Sequence, residues 1–147
     1  MISDVPVGCL LSGGIDSSLI VAMMSEQSHF PVKTYSVGFN NFKSSETGMA
    51  RTVADHCNTE HHELILEEDC FAEHLESLTW IRDAPLSEAG DVPLYLLSKM
   101  ASKDVKVILS GEGADELFGG YPKYAYDKER QLTKFIPSLL LRNTADL

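Results

Sequence analysis

Basic residues are scarce in this sequence: 12 Lys and Arg stand against 22 Asp and Glu, a net charge of -10. A duplex nucleic-acid surface or an anionic membrane asks for a basic patch, so neither is expected as a partner. Cysteine is nearly absent as well. Cys9, Cys57 and Cys70 are odd in number, widely spaced and without a CxxC pair, which argues against a disulfide scaffold or a cysteine metal site and for reduced thiols in a cytoplasmic protein. No apolar run approaches the ~20 residues that cross a bilayer. The first residues also lack the basic-then-apolar order of a secretory signal.

Two familiar phosphate-binding patterns are missing. No lysine follows the glycines of the loop at residues 12–17, as the common nucleotidase loop requires. The three spaced glycines of a dinucleotide-binding turn are absent too. What the chain does have, over 147 residues that are 44% apolar, is enough material for a domain with a real core.

The stretch at residues 5–18 organises the rest. Apolar Val5, Val7, Cys9, Leu10 and Leu11 lead into Ser12-Gly13-Gly14-Ile15-Asp16-Ser17-Ser18 and then the helix-like run at residues 19–24. This reads as a buried strand, a tight loop and a helix whose first amides are free for an anion, with Asp16 or Ser17 near the cap. Ser12 and Ser17 offer hydroxyls, and Gly13 and Gly14 let backbone nitrogens approach phosphate. Asp16 repels a bare phosphate, so its presence implies a divalent cation between the two. An ordinary strand-to-helix turn needs none of these residues together. A second cluster, Ser110-Gly111-Glu112-Gly113-Ala114-Asp115-Glu116, follows the short apolar run at residues 105–109. Both clusters are expected at the carboxyl edge of one sheet, where ligands of doubly wound folds bind.

Between the clusters, residues 32–39 and 61–66 read as strands and residues 47–58 as a helix with Met49, Ala50, Val53, Ala54 and Cys57 along one side. Residues 70–80 form a helix whose Phe71, Leu75 and Trp80 are expected to pack on the sheet. Residues 93–102 form another, with Asp91 as its cap, and residues 114–118 a short one. The alternation predicts an α/β domain of four or five parallel strands with helices on both faces. Adjacent His61 and His62 point to opposite faces of a strand, so packing or surface roles are expected for them and for His56 rather than a metal site.

SGGxDS after the first strand, here residues 12–17, resembles the signature of the ATP pyrophosphatase superfamily. Ser3-Asp4-Val5-Pro6-Val7-Gly8 before it, Tyr35-Ser36-Val37-Gly38-Phe39, Glu46, His61-His62-Glu63, residues 93–98 and SGEGADELFGGY at residues 110–121 extend the likeness to the synthetase domain of glutamine-dependent asparagine synthetases. The resemblance implies a three-layer α/β sandwich of the adenine nucleotide alpha hydrolase type, with a core at residues 1–121 and the start of an incomplete helical subdomain at residues 122–147. It implies that ATP lies against Leu10, Ser12, Gly13, Gly14, Asp16, Ser17, Val37, Ser110 and Gly111. Magnesium is then held by Asp16 and Asp115, and Glu112 and Asp115 serve the chemistry. The implied reaction activates the aspartate side-chain carboxylate with ATP, releases pyrophosphate, and lets ammonia displace AMP. A glutaminase portion is then expected from missing N-terminal sequence or another chain, and homo-oligomerisation is left open. The basic residue and much of the amino-acid pocket that the family places in its later helical region lie beyond this chain. Asp83-Ala84-Pro85 departs from the usual Asp-Glu-Pro, which bears on the acceptor. The other readings are a different ligase of the superfamily, a tRNA-modifying relative, disfavoured by the acidic charge and unpaired cysteines, and a nucleotide-binding fragment without turnover.

Overall fold

A computed structural model describes residues 1–40, 47–67, 69–85 and 88–124. The polar loop expected up to Ser45, Glu46 and the helical tail expected beyond Tyr124 lie outside the described residues. The chain divides into two units, Met1–Gly111 and Glu112–Leu147, and each is described by itself.

The first unit runs β1 (Val7–Leu10), α1 (Ile15–Gln27), β2 (Lys33–Phe39), α2 (Thr47–His56), β3 (Glu60–Leu66), α3 (Cys70–Arg82), α4 (Asp91–Ala101) and β4 (Val107–Leu109). All pairings are parallel and the strand order is β3-β2-β1-β4. From β1 the chain steps to β2 and β3 on one side, then returns to lay β4 on the other side of β1. The carboxyl ends of β1 and β4 therefore flank the point where the strand order reverses, the crevice in which doubly wound sheets bind ligands.

Side-chain alternation along the strands builds a core on each face of the sheet. On one face Cys9 and Leu11 pack with Val21 and Met24 of α1 and with Ala50 and Ala54 of α2. Val21 is fully buried, and removing such a side chain from water contributes about 1.5–3 kcal/mol. On the other face Tyr35 packs with Leu97 and Ala101 of α4 and with Val105, and Leu10, Val37 and Leu64 border that cluster. Helices on both faces of a parallel sheet make the three layers that the alternation of elements predicted. The fold is the expected α/β sandwich.

Several local expectations are corrected. Helix α1 starts at Ile15 and is capped by extended Gly14 rather than by Asp16 or Ser17, which lie in its first turn. Asp91 is the first residue of α4 and not its cap; Gly90 holds that position. Trp80 and Leu75 are exposed, and Leu78 is the buried apolar residue of α3. The reason is that α3 lies mainly on α4 rather than on the sheet, although Phe71 stacks on Phe39 at the end of β2 with ring centroids 6.1 Å apart. Val107 and Leu109 are partly exposed, because β4 pairs only with β1 among the described residues.

The second unit contains α5 (Ala114–Phe118). Gly113 and Gly119 bracket it, both with left-handed backbone. The Gly120 N–H returns to the Asp115 carbonyl at 3.0 Å and closes the turn.

Candidate nucleotide site

The loop after β1 holds its shape through its own serines. Ser12 Oγ and Ser17 Oγ lie 3.0 Å apart, the Gly14 N–H donates to Ser12 Oγ at 3.2 Å, and the Ser12 N–H donates to Ser17 Oγ at 3.3 Å. Ser17 is buried whereas Ser12, Gly14 and Asp16 are exposed. The two hydroxyls thus fix the turn from below and leave its upper rim and the start of α1 facing outward. Such a rim, with helix amides behind it, suits an anion.

Gly13 has φ +84°, a left-handed conformation that excludes most side chains. A methyl group there would lie 2.6 Å from Met49 Cβ and 2.7 Å from the Ala50 nitrogen. The loop is therefore seated directly on the first turn of α2. This contact has no signal in the local sequence, since Met49 and Ala50 read only as one side of an amphipathic helix.

The second cluster begins within the same unit. β4 is in register with β1, Leu109 beside Cys9, which carries Ser110 and Gly111 past the end of the sheet next to the loop. A methyl group on Gly111 would lie 3.1 Å from Asp16 Cβ and 3.1 Å from the Ser17 nitrogen. The loop after β1 and the Ser110-Gly111 step after β4, about ninety residues apart in sequence, thus meet at one place, at the first turn of α1. Leu10 and Val37 are half-buried neighbours on the α4 face, one on β1 and one on β2. The structure gathers Leu10, Ser12, Gly13, Gly14, Asp16, Ser17, Ser110 and Gly111 at the carboxyl edge, with Val37 near the end of the adjoining strand.

Glu112 and Asp115 belong to the second unit. Asp115 is exposed on α5, and a methyl group on Gly120 would overlap its carboxylate. Glu116 accepts a 2.7 Å hydrogen bond from Tyr121 Oη, which holds its carboxyl below the usual range and pushes the phenol up to about 12. Glu116 is thereby engaged locally. Among the described residues no group of three or more His, Cys, Asp or Glu side chains is placed to hold a metal ion.

Next to Val37, a polar chain runs across the α2 face of the sheet. Ser36 Oγ lies 3.2 Å from His61 Nε2, Thr34 Oγ1 lies 2.9 Å from His61 Nδ1 and 2.9 Å from Thr59 Oγ1, and Glu63 Oε1 lies 3.5 Å from His61 Nε2. Arg51 of α2 grips both oxygens of Glu63 through Nε and Nη2. His62 faces the other way and stacks on Tyr35 at 5.2 Å, so the two histidines take opposite faces as expected. Neither reads as a metal ligand.

Burial holds the His61 pKa below its ordinary 6.5, against the opposing pull of Glu63. The Arg51 hydrogen bonds hold the Glu63 carboxyl below its ordinary 4.5. Both depressed values mean that the unfolded chain takes up protons more readily than the folded one. Stability is expected to decline as pH falls below 6.5 through the His61 window, and again below 4.5 through that of Glu63. Urea midpoints measured from pH 8 to pH 3 check this: a His61→Gln variant should lose much of the wild-type dependence between 6.5 and 5, and a Glu63→Gln variant much of that below 4.5. The buried Cys9 thiol is raised to about 11 by desolvation, which leaves it protonated and chemically inert near neutrality.

Residues 1–146 match the asparagine synthase family. The chain is 43% identical over 141 residues to a putative glutamine-hydrolyzing asparagine synthetase 2 of Methanocaldococcus jannaschii, covering 92% of this chain and 27% of the relative. It is 44% identical over 138 residues to the glutamine-hydrolyzing asparagine synthetase 1 of Bacillus subtilis, covering 94% of this chain and 22% of that protein. The chain thus spans about a quarter of the length of these relatives. Among solved structures, an NH3-dependent NAD synthetase from Campylobacter jejuni has the same fold, with a TM-score of 0.53 and 19% identity over 81% of this chain and 52% of that one. An NMN synthetase from Francisella tularensis is similar at a TM-score of 0.51 and 14% identity, over 81% of this chain and 50% of that one. With its family match running from the first residue almost to the last, this chain belongs to the asparagine synthase family, to the portion that carries the ATP pyrophosphatase fold.

Proposed function

We propose that this chain binds ATP with magnesium at the joined ends of β1 and β4 and serves the ATP-dependent activation of a carboxylate, that of the aspartate side chain, with ammonia as the acceptor and AMP and pyrophosphate as products. The observation that carries the reading is the seating of Gly111 against Asp16 and Ser17, because it brings the start of the second motif onto the first loop without a side chain between them. The loop amides and the start of α1 receive the phosphates. Leu10 and Val37 offer an apolar wall to the adenine, beside Ser110 and Gly111.

Asp16 fits a magnesium ligand: it is an exposed hard-oxygen donor at the rim of a phosphate loop. Magnesium commonly takes one or two carboxylates and completes its shell from phosphate and water, so a dense acidic cage is not needed. When bound, it supplies charge neutralisation on the departing pyrophosphate. The roles of Asp115 as a second magnesium carboxylate and of Glu112 in handling a proton near the reacting groups rest on the sequence pattern. Ammonia delivery falls to a glutaminase portion outside this chain or on another one.

Pyrophosphate exchange into ATP tests the reading. Exchange that needs magnesium, rises with aspartate and ignores other amino acids is the expected result. ATP binding without exchange under any carboxylate would leave a nucleotide-binding fragment, and exchange driven by a different carboxylate would replace aspartate as the substrate.

A further inference from the structure

Helix α2 packs on the sheet mostly through small side chains. Its buried residues are Thr47, Ala50 and Ala54, with Val53 partly buried against the same core, and two alanines bury less than the Val21 and Met24 of α1. The directional tie is the two-pronged contact from Arg51 to Glu63 on β3; Glu63 Oε1 also lies 3.5 Å from His61 Nε2, and His61 is bonded to Thr34 and Ser36 of β2. Arg51 follows directly after Met49 and Ala50, the residues on which Gly13 rests. A planar guanidinium gripping both carboxylate oxygens fixes direction as well as distance, as a lysine cannot.

We propose that Arg51 is a positioning residue for the loop at residues 12–17: its grip on Glu63 fixes the rotation and height of α2, and α2 in turn holds Gly13 in its left-handed conformation. Arg51 touches no expected ligand position and acts only through Glu63 and α2. The proposal deepens the nucleotide-site reading and rests on it for the ATP readout alone.

Amide hydrogen exchange on the full chain tests it, read at the Ser12, Gly14 and Ser18 N–H groups. These donate to Ser17 Oγ, Ser12 Oγ and the Gly14 carbonyl respectively. In Arg51→Gln their exchange is expected to quicken about tenfold, a local opening rather than a global one, while the β1 and β2 amides keep their protection. Arg51→Lys, which retains charge but not the fork, should fall between. Lys33→Gln, which removes ion pairs to Glu60 and Asp104 at the other end of the strands, should leave the loop amides unchanged. ATP affinity in Arg51→Gln is expected to weaken by roughly fivefold to tenfold, a small share of what a direct ligand contact provides. If Arg51→Gln does not fold, Glu63→Gln and Arg51→Lys carry the same measurement. Loop exchange within about twofold of wild type, with only the unfolding midpoint lowered, would overturn the proposal and leave Arg51 a stabilising contact. A wild-type chain that binds no ATP counts against the nucleotide reading, and the exchange result still decides the role of Arg51.

Discussion

Gly13→Ala is expected to remove ATP binding and to destabilise the first unit. At φ +84° an alanine carries a left-handed strain of about 1–2 kcal/mol. Its methyl group would also lie 2.7 Å from the Ala50 nitrogen and 2.8 Å from the Met49 carbonyl carbon. Backbone atoms in a helix cannot swing aside like the end of a side chain, so the loop lifts or α2 shifts. We expect a loss of roughly 2–4 kcal/mol in urea unfolding, in the range of severe strain and overpacking. ATP affinity should fall more than about 100-fold. Gly14→Ala is the matched comparison: Gly14 has φ -69°, and a methyl there would meet only Ser12 Oγ, at 3.3 Å. It should cost far less on both counts, as calorimetry and unfolding will show.

Asp16→Ala is expected to have opposite effects with and without magnesium. Asp16 is exposed at the rim of the loop, where its charge attracts a divalent cation and repels an uncovered phosphate. Loss of a charge-assisted contact corresponds to about 1.5–3 kcal/mol, or roughly 10-fold to 100-fold weaker binding of ATP with magnesium present. With the cation chelated, the same variant should bind ATP more tightly than wild type, because only the repulsion remains to be removed. Equal losses under both conditions would mean that Asp16 acts on the loop's shape and not through a metal.

The sequence made the architecture and the first loop readable because each rests on local chemistry. Val7, Cys9 and Leu11 alternate with the strand, and two serines, two glycines and an aspartate have few reasons to stand together at a strand end. Asp16 and Gly111 could be expected at one sheet edge, since each follows a parallel strand. That Gly13 rests on Met49 and Ala50 could not, because the contact joins residues more than thirty positions apart and Gly13 carries no trace of its neighbour. Gly8 is a similar case: a methyl there would lie 3.0 Å from the Lys33 carbonyl oxygen and from Tyr35 Cε2, a restriction invisible until β1 and β2 pair. Trp80 misled for the opposite reason. A large aromatic at helical spacing is normally buried, but α3 rests on α4 and leaves Trp80 87% exposed. The Arg51–Glu63–His61 chain was legible only as separate residues: the packing of α2 on β3 brings Arg51 to Glu63, and the pairing of β2 with β3 brings Thr34 and Ser36 to His61.

The claim on which the account depends is that one ligand is held jointly by the end of β1 and the end of β4. A magnetic resonance titration of the isotope-labelled chain with magnesium and ATP measures this directly. The account predicts that the amides of residues 12–18 and of Ser110 and Gly111 shift together along one saturable curve, with Leu10 and Val37 following it. Shifts confined to one of the two clusters, or centred instead on the exposed groove beside Leu75 and Trp80 of α3, would contradict it.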